Sequence, residues 1–441
     1  MGGANGAGTA FRVAANGTLT TLVSFSGING ANPRAGLAQG LDGSFFGTTP
    51  MGGAASFGTV SQMGVNGTLT TLVSFNYVSG AWPHAGLVQG TDGNFYGTTE
   101  MGGANGTGTT FRMAANGTLT TLVSFSGING AYPQAGLARG NDGSIYGTTY
   151  NGGTNGSGTV FRMTTGGTLT SLHSFTGLGD GANPYADLVQ GNDGNIYGTA
   201  YYGGANSRGT VFQITASGTF TFLAAFSGTN GANPSGALVQ GSDGNFYGTT
   251  ENGGAYTNQV GTGYGTVFEM TPDGTLTTLV SFNGTNGAAP QAGLVQGTDG
   301  SFYGTTSGGG SFNNGTVFRL SFLAPPVITL LVTNVLLSAD NNCQGLMPDL
   351  TGTNYTLISD PCSNSVVLRQ SVAASTVLAL GTNQVVLTLT DGCGNAAYAT
   401  NFVIVQDTTT PVLAGLPPLA ASYPVRSGRA AGARGDGDGQ L

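Results

Sequence analysis

Lysine is absent from this sequence, and charged residues of all kinds make up only 7% of its 441 positions. Its cationic side chains are arginines and two histidines, and the formal net charge is −8. Proteins that bind nucleic acid displace counterions with clustered lysines and arginines. The composition therefore argues against a nucleic-acid-binding protein.

Long apolar runs are also missing, which predicts no membrane span, and no signal peptide is present. Residues 1–40 nearly repeat residues 101–140, so that Met1 aligns with Met51 and Met101. We therefore expect that the chain begins inside a longer gene and that an export signal was lost with the missing part. In-frame repeats upstream would support this expectation, and an in-frame stop just before Met1 would contradict it.

Cysteine is scarce, and the three cysteines all lie in the last quarter of the chain, at Cys343, Cys362 and Cys393. A long cysteine-free region followed by a cysteine-bearing module suits an exported protein. We predict a disulfide between Cys343 and Cys362. Cys393 is then a spare thiol or an alternative partner of one of them.

Glycine, in contrast, is abundant at 81 residues, and apolar residues are spaced regularly between the glycines. This pattern indicates a turn-rich β protein. An Asp-Gly pair recurs at steps of 50, 50, 51, 50 and 56 residues. The pairs begin at Asp42, Asp92, Asp142, Asp193, Asp243 and Asp299. A fixed period of this size is typical of propeller blades or solenoid turns.

One copy of the repeat contains four strand-like runs, here named A to D. In copy 2 they are residues 85–89, 94–99, 108–113 and 118–125. Asp-Gly and Asn-Gly pairs between the runs favour tight antiparallel hairpins. Four sequential strands make a meander, and a ring of meanders is a β-propeller, for which we prefer six blades. A parallel β-helix is the rival interpretation.

Runs A, B and D each occur six times, and run C occurs seven times. The chain opens with runs C and D and ends its repeats with A, B and C. We expect the first D run to complete the last blade and to close the ring, which leaves one C run over.

The repeat unit GLVQGxDGNFYGTTxxGGxxGxGTVFRMxxxGTLTTLxSF resembles the bacterial GloVer tandem repeat over residues 1–322. Its DGNFYG segment is also similar, more loosely, to the blades of NHL-type propellers. The resemblance implies an exported protein of undefined activity. GloVer proteins carry C-terminal surface anchors, and no anchor motif follows the repeats here.

A second module follows the repeats, at residues 323–412. Its segment VVLTLTDGCGNAAYATNFVIVQDTTTP, at residues 385–411, resembles the last hairpin of hyalin-repeat (HYR) domains. The resemblance implies a small immunoglobulin-like β-sandwich that acts as a spacer or an adhesive unit. The tail, residues 413–441, is poor in apolar residues and is predicted to be disordered.

Two loops of each copy vary while the turns between runs A and B stay uniform. Reversal of strand direction within a copy would put both variable loops, D–A and B–C, on one face. The residues before the proline of loop D–A are Asn32, Trp82, Tyr132, Asn183, Asn233 and Ala289. Those after it are Arg34, His84, Gln134, Tyr185, Ser235 and Gln291. Those that follow run B are Pro50, Glu100, Tyr150, Tyr201, Glu251 and Ser307.

A uniform scaffold with one diversified face is typical of a recognition surface, although drift in exposed loops is the alternative. Exposed aromatic rings stack on sugar faces. We predict ligand-binding roles for Trp82, His84, Tyr132, Tyr185 and Tyr201.

An enzymatic site has less support. The candidate acids and bases are Glu100, His84, Asp187 and Glu251. Glu100 and Glu251 lie three copies apart, too far for a glycosidase pair, and Asp187 replaces a glycine at the start of run A. His84 and Glu100 share one copy and could act as an acid/base pair, but no nucleophile motif accompanies them.

The function predicted from these features is that of an exported or cell-surface binding or adhesion protein, monomeric, with a glycan or protein ligand. The alternatives are an extracellular glycoside or ester hydrolase with its site in the propeller channel, and a structural surface repeat without a ligand. No cofactor or metal site is predicted. Calcium on the Asp-Gly turns is a weak alternative, because each turn offers one carboxylate.

Overall fold

The computed structural model describes residues 2–13, 18–257, 260–298, 300–321, 327–359, 366–390 and 396–410. The chain divides into two compact units, Met1–Phe322 and Leu323–Leu441. Every regular element in the described ranges is a β-strand. Accordingly, the part of the chain that the structure describes holds no helix able to span a bilayer.

The first unit is a series of antiparallel sheets, one for each copy of the repeat. Before copy 1, β1 (Thr9–Val13) pairs with β2 (Leu19–Ser24). Copies 1 to 5 each form a four-stranded sheet in which sequential strands are neighbours. These strands are β3 (Ala38–Gln39), β4 (Phe45–Thr49), β5 (Thr59–Met63), β6 (Leu69–Ser74), β7 (Val88–Gln89), β8 (Phe95–Thr99), β9 (Thr109–Met113), β10 (Leu119–Ser124), β11 (Ala138–Arg139), β12 (Ile145–Thr149), β13 (Thr159–Met163), β14 (Leu169–Ser174), β15 (Val189–Gln190), β16 (Ile196–Ala200), β17 (Thr210–Ile214), β18 (Phe220–Ala225), β19 (Val239–Gln240), β20 (Phe246–Thr250), β21 (Thr266–Met270) and β22 (Leu276–Ser281). The strands of copy 6 are β23 (Val295–Gln296), β24 (Phe302–Thr306) and β25 (Thr316–Leu320).

The Asp-Gly turns owe their geometry to both residues of the pair. Gly93 adopts a φ of 76°, which suits glycine because it has no Cβ. The Asp92 carboxylate accepts the N–H of Asn94 at 3.1 Å and the hydroxyl of Tyr96 at 2.7 Å. The aspartate therefore fixes the turn and anchors it to the next strand.

Adjacent sheets pack through aromatic rings of successive copies. Tyr197 packs on Phe246 at a centroid distance of 4.0 Å, and Tyr247 packs on Phe302 at 4.3 Å. All four rings are buried. Because burial of one such side chain stabilises by about 1.5–3 kcal/mol, these repeated contacts hold the series of sheets together.

Every strand ladder of the first unit is antiparallel. The unit is therefore propeller-like, and the parallel β-helix interpretation is wrong. Strand direction reverses within each copy, as the sequence analysis assumed.

The expectation that the first D run completes the last sheet is wrong. The D run forms β2, which pairs with β1, while the last sheet has the order β23-β24-β25 among the described residues. Tyr303 of copy 6 is accordingly 38% exposed, whereas its counterpart Tyr247 is 2% exposed. Val317 is 80% exposed, and its counterpart Val267 is fully buried. Closure into a six-bladed ring stays a prediction.

The second unit contains one larger sheet and two smaller ones. Its strands are β26 (Val327–Leu330), β27 (Asn334–Ser338), β28 (Gln344–Leu346), β29 (Thr356–Ser359), β30 (Val367–Gln370), β31 (Val377–Ala379), β32 (Gly381–Thr390) and β33 (Ala396–Gln406). The larger sheet has the order β27-β33-β32-β30, with β27 parallel to β33. Alternate residues such as Val385, Leu387 and Leu389 are buried, as expected for a sheet with one covered face.

The immunoglobulin-like interpretation of this unit stays a prediction. Strands β32 and β33 pair as the long hairpin that the resemblance implies. Residues 391–395, which lie between these two strands in the sequence, and the predicted tail at 413–441 lie outside the described residues.

Candidate functional site

A cavity of about 1170 Å³ opens in the first unit, and all six copies contribute to its lining. The residue after the proline of loop D–A lines it in all six copies, and the residue after run B lines it in copies 3 to 6, because both loops lie at the same end of an antiparallel sheet. From loop D–A the lining residues are Arg34, His84, Gln134, Tyr185, Ser235 and Gln291. From the position after run B they are Tyr150, Tyr201, Glu251 and Ser307. We call these ten side chains the rim.

Glu100 lies next to the rim and links two of its members. His84 Nε2 lies 2.7 Å from Glu100 Oε2, and Gln134 Nε2 donates to Glu100 Oε1 at 2.6 Å. Desolvation opposes ionisation of Glu100, but the contacts with His84 and Gln134 and the more distant Arg34 outweigh it and lower the pKa of this carboxyl. Glu100 is therefore an ionised anchor for His84 and Gln134.

The same arrangement recurs three copies away. Glu251 accepts a hydrogen bond from Gln291 Nε2 at 3.0 Å and another from the Tyr201 hydroxyl at 2.8 Å. In both places a glutamate after run B binds a glutamine after the proline of the next copy. The pairing is a consequence of the repeat period, because equivalent positions of adjacent copies lie side by side.

Tyrosines occupy the rim between these two carboxylates. Tyr185 lies between Tyr150, at a centroid distance of 6.2 Å, and Tyr201, at 6.1 Å. Tyr202 meets Tyr201 at 4.7 Å with the ring planes nearly perpendicular. Burial and the Glu251 carboxylate raise the pKa of Tyr201, so its hydroxyl stays protonated and donates.

Asp187 also lines the cavity, two residues after Tyr185 in the sequence. The other copies have glycine or alanine at this position. The equivalent positions are Gly36, Gly86, Gly136, Ala237 and Gly293. Asp187 Oδ1 accepts the N–H of Gly136. The side chain is accessible from the cavity, yet protein surrounds it, and this desolvation raises the pKa of Asp187 against the opposing effect of the Gly136 N–H.

The structure divides the predicted ligand-binding residues into two groups. His84, Tyr185 and Tyr201 line the cavity. Trp82 lines a separate depression of about 520 Å³, and Tyr132 is absent from the described lining of both. Both residues precede the proline and have left-handed φ values of 60° and 56°.

Sequence reasoning also left out residues that the cavity brings in. Tyr150 was recognised as variable but was not predicted to bind, and Tyr202 was not singled out at all. Tyr150 and Tyr201 hold the same position in adjacent copies, and that correspondence was a usable signal. The contact between Tyr201 and Tyr202 depends on local backbone geometry and had no such signal.

Metal and disulfide predictions have separate outcomes. Within the described ranges, no cluster of three or more His, Cys, Asp or Glu side chains is placed to hold a metal ion. Cys343 is exposed. Its predicted partner Cys362 lies outside the described residues, as does Cys393, so the disulfide stays a prediction.

Comparison with known proteins finds the repeat at the level of sequence. The model of the Gloeobacter/Verrucomicrobia repeat matches residues 1–142 and 135–365. No protein with a curated description matches the chain.

Several solved structures are similar to the chain at low identity. The extracellular domain of a hybrid two component system from B. thetaiotaomicron is 9% identical with a TM-score of 0.48. The match covers 91% of this chain and 56% of that one, so this chain spans little more than half of its length. A protein described as a 6-phosphogluconolactonase from Bacteroides uniformis is 16% identical, with coverages of 70% and 89% and a TM-score of 0.48. The periplasmic gluconolactonase PpgL of Pseudomonas aeruginosa is 15% identical, with coverages of 80% and 97% and a TM-score of 0.39. At these values no activity carries over to this chain.

Proposed function

The chain belongs to the Gloeobacter/Verrucomicrobia repeat family, and we propose that its first unit is a binding domain that takes a glycan in the cavity bounded by the rim. The protein would act outside the cell, at the surface or secreted, without catalysis. In this proposal the second unit serves as a spacer.

One observation carries the proposal: two of the three variable positions, the one after the proline of loop D–A and the one after run B, supply side chains to a single cavity. The strands around them are nearly identical from copy to copy, so scaffold stability does not require the differences. Drift alone would also vary the exposed turns at the other end of the sheets, and the Asp-Gly pairs there are uniform.

The chemistry of the rim suits a polyhydroxylated ligand. Tyr185 offers a partly exposed ring for the apolar face of a sugar. Glu251 and Gln291 offer acceptors and donors for hydroxyl groups, and their mutual hydrogen bond holds them in position. A concave site with aromatic walls and a few fixed polar groups is the usual form of a small-ligand pocket.

The test is a glycan array followed by calorimetric titration of the best glycan. The double variant Tyr185→Ala/Tyr201→Ala should bind about tenfold more weakly or worse, because each ring contributes about 0.5–1.5 kcal/mol beyond its buried area. Tyr398→Ala is the matched control, since Tyr398 is 71% exposed and belongs to the second unit. Equal affinities of both variants and the wild type would contradict the proposal. Silence of the wild type on the array would favour a structural repeat.

A hydrolase is the second candidate, favoured by the 2.7 Å contact between His84 and Glu100 beside the cavity. Hydrolysis of chromogenic glycosides or esters by the wild type, lost in His84→Gln, would replace the binding proposal. If the wild type binds glycans but hydrolyses none of these substrates, the binding proposal stands.

A further inference from the structure

Asp187 has no cationic partner in the part of the chain that the structure describes. The N–H of Gly136 is the hydrogen-bond partner of its carboxylate, and none of the ion pairs includes it. The side chain is exposed to the cavity, so its negative charge is available to a cationic group on a ligand. The small residues at this position in the other copies show that the scaffold itself does not need the aspartate.

Among the described lining residues, copies 4 and 5 contribute two carboxylates to the cavity and no arginine. Glu251 also lines the cavity, in copy 5, next to Asp187 in copy 4. Arg34 is the single arginine among the described lining residues, and it belongs to copy 1, on the far side of the series. A cationic group on a ligand would therefore find its counter-charges beside Asp187.

A second observation points to a ligand at the same place. Ser235, in the copy that follows Asp187, is only 6% exposed and lines the cavity. Its Oγ is buried and has no hydrogen-bond partner among the described residues. Buried hydroxyls are normally paired, so an unpartnered one in a cavity wall marks a position for a ligand atom.

We propose that the ligand carries a protonated amine, which Asp187 binds, and that the ligand is an amino sugar with a free ammonium group rather than a neutral sugar. This inference rests on the proposed glycan-binding function. The tyrosines beside Asp187 suit the same group, because ammonium ions are attracted to the faces of aromatic rings. Ser235 Oγ is available to a neighbouring sugar hydroxyl.

Acetylation of the amine separates this inference from general glycan binding. An N-acetylated sugar has nearly the same ring and hydroxyls but lacks the charge, so Asp187 would then face a neutral amide. Charge-assisted hydrogen bonds are about twice as strong as neutral ones. Asp187 should therefore discriminate between the two forms.

The experiment titrates a glucosamine tetrasaccharide and its N-acetylated counterpart into the full chain over a pH series from slightly acidic to neutral, because the amine must be protonated while Asp187, whose pKa is raised, must be ionised. The wild type should bind the free amine about tenfold more tightly or better. Asp187→Asn should bind the two forms within about twofold of each other. Glu269→Gln, which removes one charge at the opposite end of the sheets, is the matched control and should keep the wild-type preference. Thermal melts would establish that each variant is folded.

Equal binding of both forms by the wild type would overturn the amino-sugar inference and leave the glycan proposal standing. A preference that survives in Asp187→Asn would also overturn it, because another group would then recognise the amine. Binding of neither form, with other glycans bound, rejects the inference alone. Binding of no glycan at all rejects both.

Discussion

Replacement of Gly97 by alanine tests whether the repeat depends on the ring of Phe111, which packs against Gly97 on β8, the second strand of copy 2. A Cβ at Gly97 would lie 2.5 Å from Cζ and 3.0 Å from Cε1 of Phe111, and 2.8 Å from Cδ2 of Leu87. Phe111 is fully buried, so its ring cannot move into solvent. The same contact recurs at Gly147, Gly198, Gly248 and Gly304.

The expected cost follows from two opposing effects. Overpacking of a core typically destabilises by about 1–3 kcal/mol. Alanine also restricts the unfolded chain, which restores about 0.4–1 kcal/mol. Gly97→Ala should therefore lower the free energy of unfolding by about 1–2 kcal/mol.

Copy 1 supplies the control within the same molecule. It has Ser61 where copy 2 has Phe111, and a Cβ at Gly47 would meet only the Leu37 side chain, at 2.5 Å from Cδ2. Leu37 is 48% exposed and can rotate away. Gly47→Ala should therefore be close to neutral.

Urea denaturation of the two variants, followed by circular dichroism, measures the difference. Phe111→Ser places the copy 1 residue in copy 2, and in that background Gly97→Ala should lose most of its cost. Equal destabilisation by Gly47→Ala and Gly97→Ala would refute the reasoning. A cost of Gly97→Ala that persists without the ring would refute it as well.

Three other outcomes follow from the same structure. Asp187→Asn should raise the melting temperature at neutral pH. Folding raises the pKa of Asp187, so the stability of the wild type falls as pH rises from the ordinary Asp pKa through the raised one. Thermal melts at several pH values should show that this pH dependence is lost in the variant. Glu100→Gln should cost about 1–2 kcal/mol near neutral pH and nothing in strong acid, because a lowered pKa gives stability that is lost as pH falls through it; denaturation at both pH values checks this. Tyr197→Phe removes hydrogen bonds to Asp193, at 2.9 Å, and from Gln213, at 2.8 Å, and should cost about 1 kcal/mol in urea titrations; no change would show that these bonds are replaced by water.

The sequence predicted the strands of each copy well because local chemistry specifies them. Asp92 and Gly93 define a turn by themselves, and the apolar alternation on either side defines the strands. Closure was not predictable in the same way. Strand β2 has the same sequence as β6 and β10, so it fits several partners, and proximity in the chain decides for β1.

Three of the five predicted ligand-binding residues lie at one cavity, and their role in binding stays a prediction. His84, Tyr185 and Tyr201 follow from strand reversal, which gathers equivalent loops at one end. Trp82 and Tyr132 were assigned to the same surface, but neither lines the cavity, and both have a left-handed backbone conformation. Backbone conformation before a proline is a local detail that residue spacing does not reveal.

The copies contribute different rim side chains from short loops, while the strands that carry these loops are nearly identical in sequence. Genetic exchange between near-identical stretches, such as those encoding residues 1–40 and 101–140, would therefore swap binding groups without altering the packing of neighbours. If the rim binds the ligand as proposed, affinity and folding depend on different residues. Recombination of whole copies would then change specificity without a prior loss of stability.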